Sequence, residues 1–234
     1  MPEATVVAYY DALPADLAAL VGTVQGRLGR DLAGFRPRSL RQVHATVIRI
    51  DPGSDLAGLL GHLHAVFSAA PLLIQFGGFA DRDHAFASRS RRLHERSLTL
   101  HQGLATLIGW PVRERAGGTR PAQAEPLQVL GEVRRGCQRF GAVHKYHAAG
   151  SATDPDAYLV VGEYDRAGTS AAELERAAGR LRAWLGRQPV RVPMGAGRLS
   201  VVVYADRRLP PESTVALPLG RPGVHAEVAR LLRR

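Results

Sequence analysis

The chain contains no asparagine, one lysine and one cysteine. A lone cysteine, Cys137, excludes an intrachain disulfide and a cysteine-based zinc cluster. No apolar run reaches the ~20 residues that a membrane-spanning helix needs. Met1-Pro2-Glu3 leads directly toward a strand-like stretch without a leader-like segment. The expectation is therefore a soluble, cytoplasmic protein with no membrane partner. A glycine-rich nucleotide fingerprint, low-complexity tracts and a detectable internal sequence repeat are also missing. Acidic residues are outnumbered, 21 Asp and Glu against 31 Lys and Arg, for a formal charge of +10. Because Lys145 is the only lysine, that excess is arginine, a bias in keeping with coding composition. A lysine kept between His144 and Tyr146 marks a position where arginine's geometry or fixed charge does not serve. Excess positive charge favours anionic partners such as nucleotides, RNA, DNA or acidic lipids; an arginine-rich solvated surface accounts for it equally well.

What is present is enough for a sizeable core: 234 residues, 45% of them hydrophobic, allowing one large domain or two small ones. Residues 5–10 read as a strand. After Pro14, Leu17, Leu20, Val21, Val24 and Leu28 recur at helical spacing. A strand over 41–50, a helix over 55–67 and a strand over 72–79, ending at Gly77-Gly78, complete a β-α-β-α-β first half. Residues 80–109 are dense in Arg and His, with short strands expected near 84–88 and 97–100. Residues 113–125, polar and rich in Gly and Pro, read as a connector. A helix starting near Pro126 would turn Leu130, Val133 and Cys137 inward. Strands follow over 142–147 and 158–164. Ser170 and Glu173 form a capping box ahead of a helix bearing Leu174, Ala178, Leu181 and Leu185, and 199–204 is a final strand.

Two segments a hundred positions apart share one design: Val43-His44-Ala45-Thr46-Val47 and Val143-His144-Lys145-Tyr146-His147. In a strand, residues two apart share a face. His44 then stands beside the Thr46 hydroxyl, and His144 beside that of Tyr146. Val43, Ala45 and Val47 make an apolar face opposite the polar one, a pattern that puts one side on the core and the other on a cleft. A core histidine satisfied by a backbone partner fits the same pattern. Histidine can act as base or acid near neutrality. Two imidazoles on opposite sides of a phosphorus would serve an in-line displacement, with flanking hydroxyls holding the non-bridging oxygens.

On these paired motifs the chain resembles the 2H phosphoesterase superfamily, whose members carry one His-x-Thr/Ser motif in each lobe. His44-Ala45-Thr46-Val47 matches that pattern. His144-Lys145-Tyr146-His147 matches in part, with Phe140 as the bulky residue ahead of it and tyrosine in place of Thr or Ser. The resemblance implies a single bilobal α+β domain over 1–234, with two antiparallel-type sheets facing a central cleft, helices outside, and a lobe connector near 113–125. It also implies a metal-independent phosphodiesterase acting on cyclic or 2′-5′ phosphodiesters of nucleotides or RNA ends, without a cofactor. His44 and His144 would be catalytic, and Thr46, Tyr146 and Lys145 would bind phosphate. A non-catalytic module that binds RNA or a nucleotide in the same cleft is the alternative. An enzyme of another class, using Lys145 or His147 with a metal, is a third.

Other clusters are weighed beside this pair. Arg82, Arg89, Arg91, Arg92 and Arg96, interleaved with Phe79 and Phe86, would track phosphates while an aromatic ring stacks a base. Arg89, Arg91, Arg92 and Phe86 are the expected nucleic-acid contacts, against a plain solvated face, and Phe79 fits the core better. His147, Asp154 and Asp156 could gather around a cation, but Asp-Pro-Asp before a strand reads first as turn chemistry. His62 and His64, two apart on a helix, diverge, and no metal ligand set is assigned.

Overall fold

The computed structural model describes residues 2–80, 88, 91–114, 124–144 and 154–233. The first run holds β1 (Glu3–Ala8), α1 (Ala15–Asp31), β2 (Arg36–Pro37), β3 (Ala45–Ile50), α2 (Leu56–Ala69) and β4 (Leu72–Phe76). Then come α3 (Leu93–Arg96), β5 (Leu98–His101), β6 (Leu104–Glu114), β7 (Ala124–Pro126) and α4 (Val129–Gly136), which runs on as a 3-10 turn through Phe140. The last run holds β8 (Ala157–Glu163), α5 (Ala171–Leu185), β9 (Val190–Met194), β10 (Leu199–Tyr204), β11 (Val215–Pro218) and α6 (Val224–Leu232).

The long elements follow their apolar patterns. All five stripe residues of α1 are buried. The capping box of α5 forms with both of its hydrogen bonds, and the Ser170 hydroxyl and amide, each donating to the Glu173 carboxyl, hold it below its usual range. Asp55 caps α2 by accepting from the Gly58 amide at 3.0 Å. Three boundaries differ from expectation. Gly77 and Gly78 take positive φ, so β4 stops at Phe76. Pro126 ends β7 and does not open a helix; α4 starts at Val129. Both ends of the expected 113–125 connector belong to strands, because Arg113 pairs with Glu125 across β6 and β7.

The fold is a mixed α+β arrangement in which, among the described residues, six helices accompany a large antiparallel sheet. The described strands run β11-β10-β1-β3-β8-β6-β4-β9, with β2 on β8 and β5 and β7 on β6. The expected pair of separate sheets is not what this path describes: the strands are linked edge to edge. The link is narrow, however. β3 and β8 share one register pair, Ala45 with Leu159. Beyond it the Arg134 guanidinium, fully buried on α4, fills the place of ladder hydrogen bonds. Its Nη2 donates to Thr46 O at 2.7 Å and its Nε to Val47 O at 2.8 Å. Its Nη1 donates to Asp154 O at 2.7 Å and Asp156 O at 2.9 Å. Backbone carbonyls of the two parting strands are thereby satisfied by one side chain.

One face of the sheet carries the main core, including Val6, Ala45, Val47, Leu159 and Leu107 against α1, α2 and α4. The other face carries two smaller clusters. Val7, Tyr10, Val202 and Leu209 lie over β1 and β10; Phe79, Leu93, Ile108, Trp110 and Val112 lie over β6.

Candidate functional site

Between those two small clusters runs a strip of half-buried side chains. Val43, Ala45 and Val47 are buried, as the alternation predicts, while His44 and Thr46 are half-buried on the opposite face. Residues directly opposite in an antiparallel pair share a face. The Ala45–Leu159 register therefore sets Tyr158 and Val160 of β8 beside Thr46 and His44, and Thr106 of β6 lies opposite Val160. Tyr158, Val160 and Thr106 are half-buried too.

His44 precedes the first residue of β3 and is fixed from its own backbone. Its Nδ1 lies 2.7 Å from Gln42 O. A carbonyl only accepts, so Nδ1 carries the proton and Nε2 keeps its lone pair. Burial pulls this imidazole down to about 4, the nearby charge of Arg38 adds to the effect, and the Gln42 hydrogen bond opposes it. The ring meets Tyr10 edge-on at 6.1 Å between centroids, and the Tyr10 hydroxyl donates to Leu209 O at 3.0 Å. Three residues around it, Tyr9, Asp11 and Leu209, have φ of 67°, 66° and 53° without being glycine. Such strain persists where the surroundings hold it. Here the Asp11 amide donates to Arg41 O at 2.9 Å and the Tyr9 amide to Arg198 O at 3.0 Å.

His144 is placed differently from expectation. Residues 142–144 form no strand; they leave the 3-10 turn as an irregular segment. The chain there is anchored by the Val143 amide, which donates to Asp51 Oδ2 at 3.1 Å. Its alternation is poor because it is not part of the ladder. The His144 ring is buried, 5% exposed, and its Nδ1 lies 3.7 Å from Asp154 Oδ2.

Asp154 and Asp156, read from sequence as turn residues, are the centre of a buried polar network. The Tyr158 hydroxyl lies 3.0 Å from Asp154 Oδ2 and 3.1 Å from Asp156 Oδ2. Asp156 also accepts from Trp110 Nε1 at 2.6 Å, from Ser88 Oγ at 2.5 Å and from Arg96. Burial pushes the Asp154 carboxyl above its usual range, and the Arg134 charge opposes that rise. The Asp154 and Asp156 carbonyls are held by Arg134 and both side chains are buried, which a Pro-containing turn signature does not convey. Arg134 itself was missed. The signal was available: it falls between Leu130 and Cys137 on the inward stripe of α4, where an arginine has to find internal acceptors. The carbonyls of Thr46, from the first motif, and of Asp154, the carboxylate neighbour of His144, thus meet on a single guanidinium.

The remaining expected site residues divide into two groups. Lys145, Tyr146, His147, Phe86, Arg89 and Arg82 lie outside the described residues. Arg91 and Arg92 are exposed. Arg96 does not share their surface; it is buried and paired with Asp156. Phe79 is in the core against Trp110, ring centroids 5.0 Å apart. His62 accepts from Arg139 Nη2 at 3.0 Å, and His64 is exposed. Among the described residues no group of three or more His, Cys, Asp or Glu side chains is arranged to hold a metal ion. Among them, too, no helix is long and apolar enough to cross a membrane.

No protein-family model matches the chain, and no curated protein matches it. Among solved structures it is similar to TT0787 of Thermus thermophilus. The two chains are 14% identical, with 92% of this chain and 93% of that one covered, at a TM-score of 0.44.

Proposed function

We propose that the strip between the two small clusters is a phosphodiester-processing site that acts on cyclic or 2′-5′ phosphodiesters of nucleotides or RNA ends. The carrying observation is His44: half-buried, with Nδ1–H given to Gln42 O and the Nε2 lone pair left to face a ligand. A neutral imidazole so fixed is a general base for water attacking phosphorus. The Thr46 hydroxyl, on the same face, would donate to a non-bridging oxygen and stabilise its growing charge. His144, oriented by Asp154, would protonate the leaving ribose oxygen, with Lys145 and Tyr146 beside the phosphate. In this reading the strands on either side of the β3–β8 seam act as the two lobes of a 2H phosphoesterase-like fold, with the strip as the cleft.

The burial of His144 favours a second reading, a module that binds a nucleotide or RNA end without turnover. One experiment separates the two. Hydrolysis of a nucleoside 2′,3′-cyclic phosphate and of a 2′-5′-linked dinucleotide is followed in excess chelator. His44→Ala and His144→Ala are each expected to lower kcat by ~100- to 10,000-fold. Wild-type protein that binds both ligands but turns over neither leaves only the binding module.

A further inference from the structure

The His44 end of the strip carries a second feature that the proposed chemistry does not use. Glu163 of β8 sits opposite Leu104, two residues from Thr106, and so faces the same side of the sheet. Two arginines converge on its carboxylate. Arg208 donates through Nε at 3.1 Å and Nη2 at 3.0 Å, and Arg38 donates through Nη2 at 3.3 Å. Arg208 is tied to the His44 support, because Gln42 Nε2 donates to Arg208 O at 3.2 Å. Arg38 is close enough for its charge to act on His44.

The two arginines are unequal. Arg208 is 65% exposed, while the Arg38 side chain is 12% exposed. Arg38 Nε is enclosed and meets no hydrogen-bond acceptor among the described residues. A largely buried guanidinium normally spends its donors on acceptors, since burying charge without them is costly. One carboxylate shared between two guanidiniums leaves a net positive charge at this place, and the exposed Arg208 has the fork geometry that suits a phosphate.

We propose that Arg38 and Arg208 form a second anion subsite, held at rest by Glu163, that takes a further phosphate of the substrate. This inference rests on the phosphodiester reading of the strip and narrows its substrate class. The preferred substrate is a cyclic phosphodiester that carries another phosphate, as in a 5′-phosphorylated nucleotide or an oligonucleotide end, over a bare nucleoside cyclic phosphate.

The test uses adenosine 2′,3′-cyclic phosphate with and without a 5′-phosphate. Calorimetric Kd and kcat/KM are measured for both at fixed ionic strength. Wild-type protein is expected to favour the 5′-phosphorylated ligand about tenfold in Kd, the scale of charge-assisted hydrogen bonds. Because Arg38 is largely buried, Arg208→Ala carries the test and should reduce that ratio to about threefold or less. Arg207→Ala removes the same charge one position away, from a residue paired with Glu3. It should leave the ratio within about twofold of wild type. A wild-type ratio near one, or equal effects of Arg207→Ala and Arg208→Ala, overturns the subsite. A tenfold ratio in Kd without hydrolysis of either compound overturns the catalytic reading and leaves the subsite standing. Failure of both ligands to bind removes both.

Discussion

His44 shows how one local hydrogen bond can set the state of a side chain. Giving Nδ1–H to Gln42 O decides the tautomer, and burial with the Arg38 charge keeps the ring neutral down to about 4. The same facts make a stability prediction. In the unfolded chain the imidazole takes up its proton near 6.5, as histidine ordinarily does. The folded state resists that proton until about 4. The contribution is therefore intact above about 6.5 and is lost as pH falls toward about 4. Replacing the ring by an amide, His44→Gln, should flatten the fall in unfolding free energy between those pH values, measured by urea titration at a series of pH. A variant whose pH profile overlays that of wild type would mean the ring titrates alike in both states. Half of this site was legible beforehand. The strict alternation Val43, Ala45, Val47 against His44, Thr46 can only be satisfied one way once one face is buried. His144 was legible as a residue but not as an environment. Its surroundings come from Asp154, further along the chain, and short-range patterning holds no information about that contact.

Among the elements, the seam between β3 and β8 is the least ordinary. Two central strands share one register pair, and a buried guanidinium replaces the rest of their ladder. Arg134→Met keeps much of the volume but removes the guanidinium donors and a charge, and leaves the Thr46, Val47, Asp154 and Asp156 carbonyls without that partner. The expected cost is ~3–5 kcal/mol, the range for breaking a buried ionic group away from its partners. Urea unfolding of the variant against wild type measures it, and a loss under about 1 kcal/mol would mean that water or a strand shift takes over the carbonyls. The elements that were legible are those with long stripes, such as α1 and α5. β6 was not, although it is the longest described strand and pairs with β4, β5, β7 and β8. Its run contains Gly109 and Pro111, ordinary strand breakers. Gly109 is there because a Cβ would sit 2.7 Å from the Phe76 ring, and Pro111, which lacks a backbone donor, still accepts from the Leu127 amide at 2.8 Å through its carbonyl. β9, β11 and α6 were unread for a simpler reason. They are short, four to nine residues, too few for an alternation or a helical stripe to stand out, and proline interrupts β9 and closes β11.

For the molecule as a whole, charge is the property that sequence states most directly. A formal +10 concentrates anions near the surface whatever the site does. It does not say which arginines meet a ligand, and the structure redistributes them. Arg96 and Arg134 are buried on internal acceptors, whereas Arg91 and Arg92 are exposed. Only the second kind can exchange counterions for phosphates. If Arg91 and Arg92, with Arg89, track the backbone of a single-stranded oligonucleotide, each contact contributes about 0.7 to the slope of log affinity against log salt. Substituting all three by alanine should then flatten that slope by roughly 2, measured by fluorescence anisotropy over a salt series. Turnover of a small cyclic nucleotide, which reaches only the strip, should fall far less than oligonucleotide binding. Equal losses in the two assays would assign these arginines to the fold. A weaker affinity with an unchanged slope would mean that they act by another route than phosphate contact, because counterion release is the one term that salt reports directly.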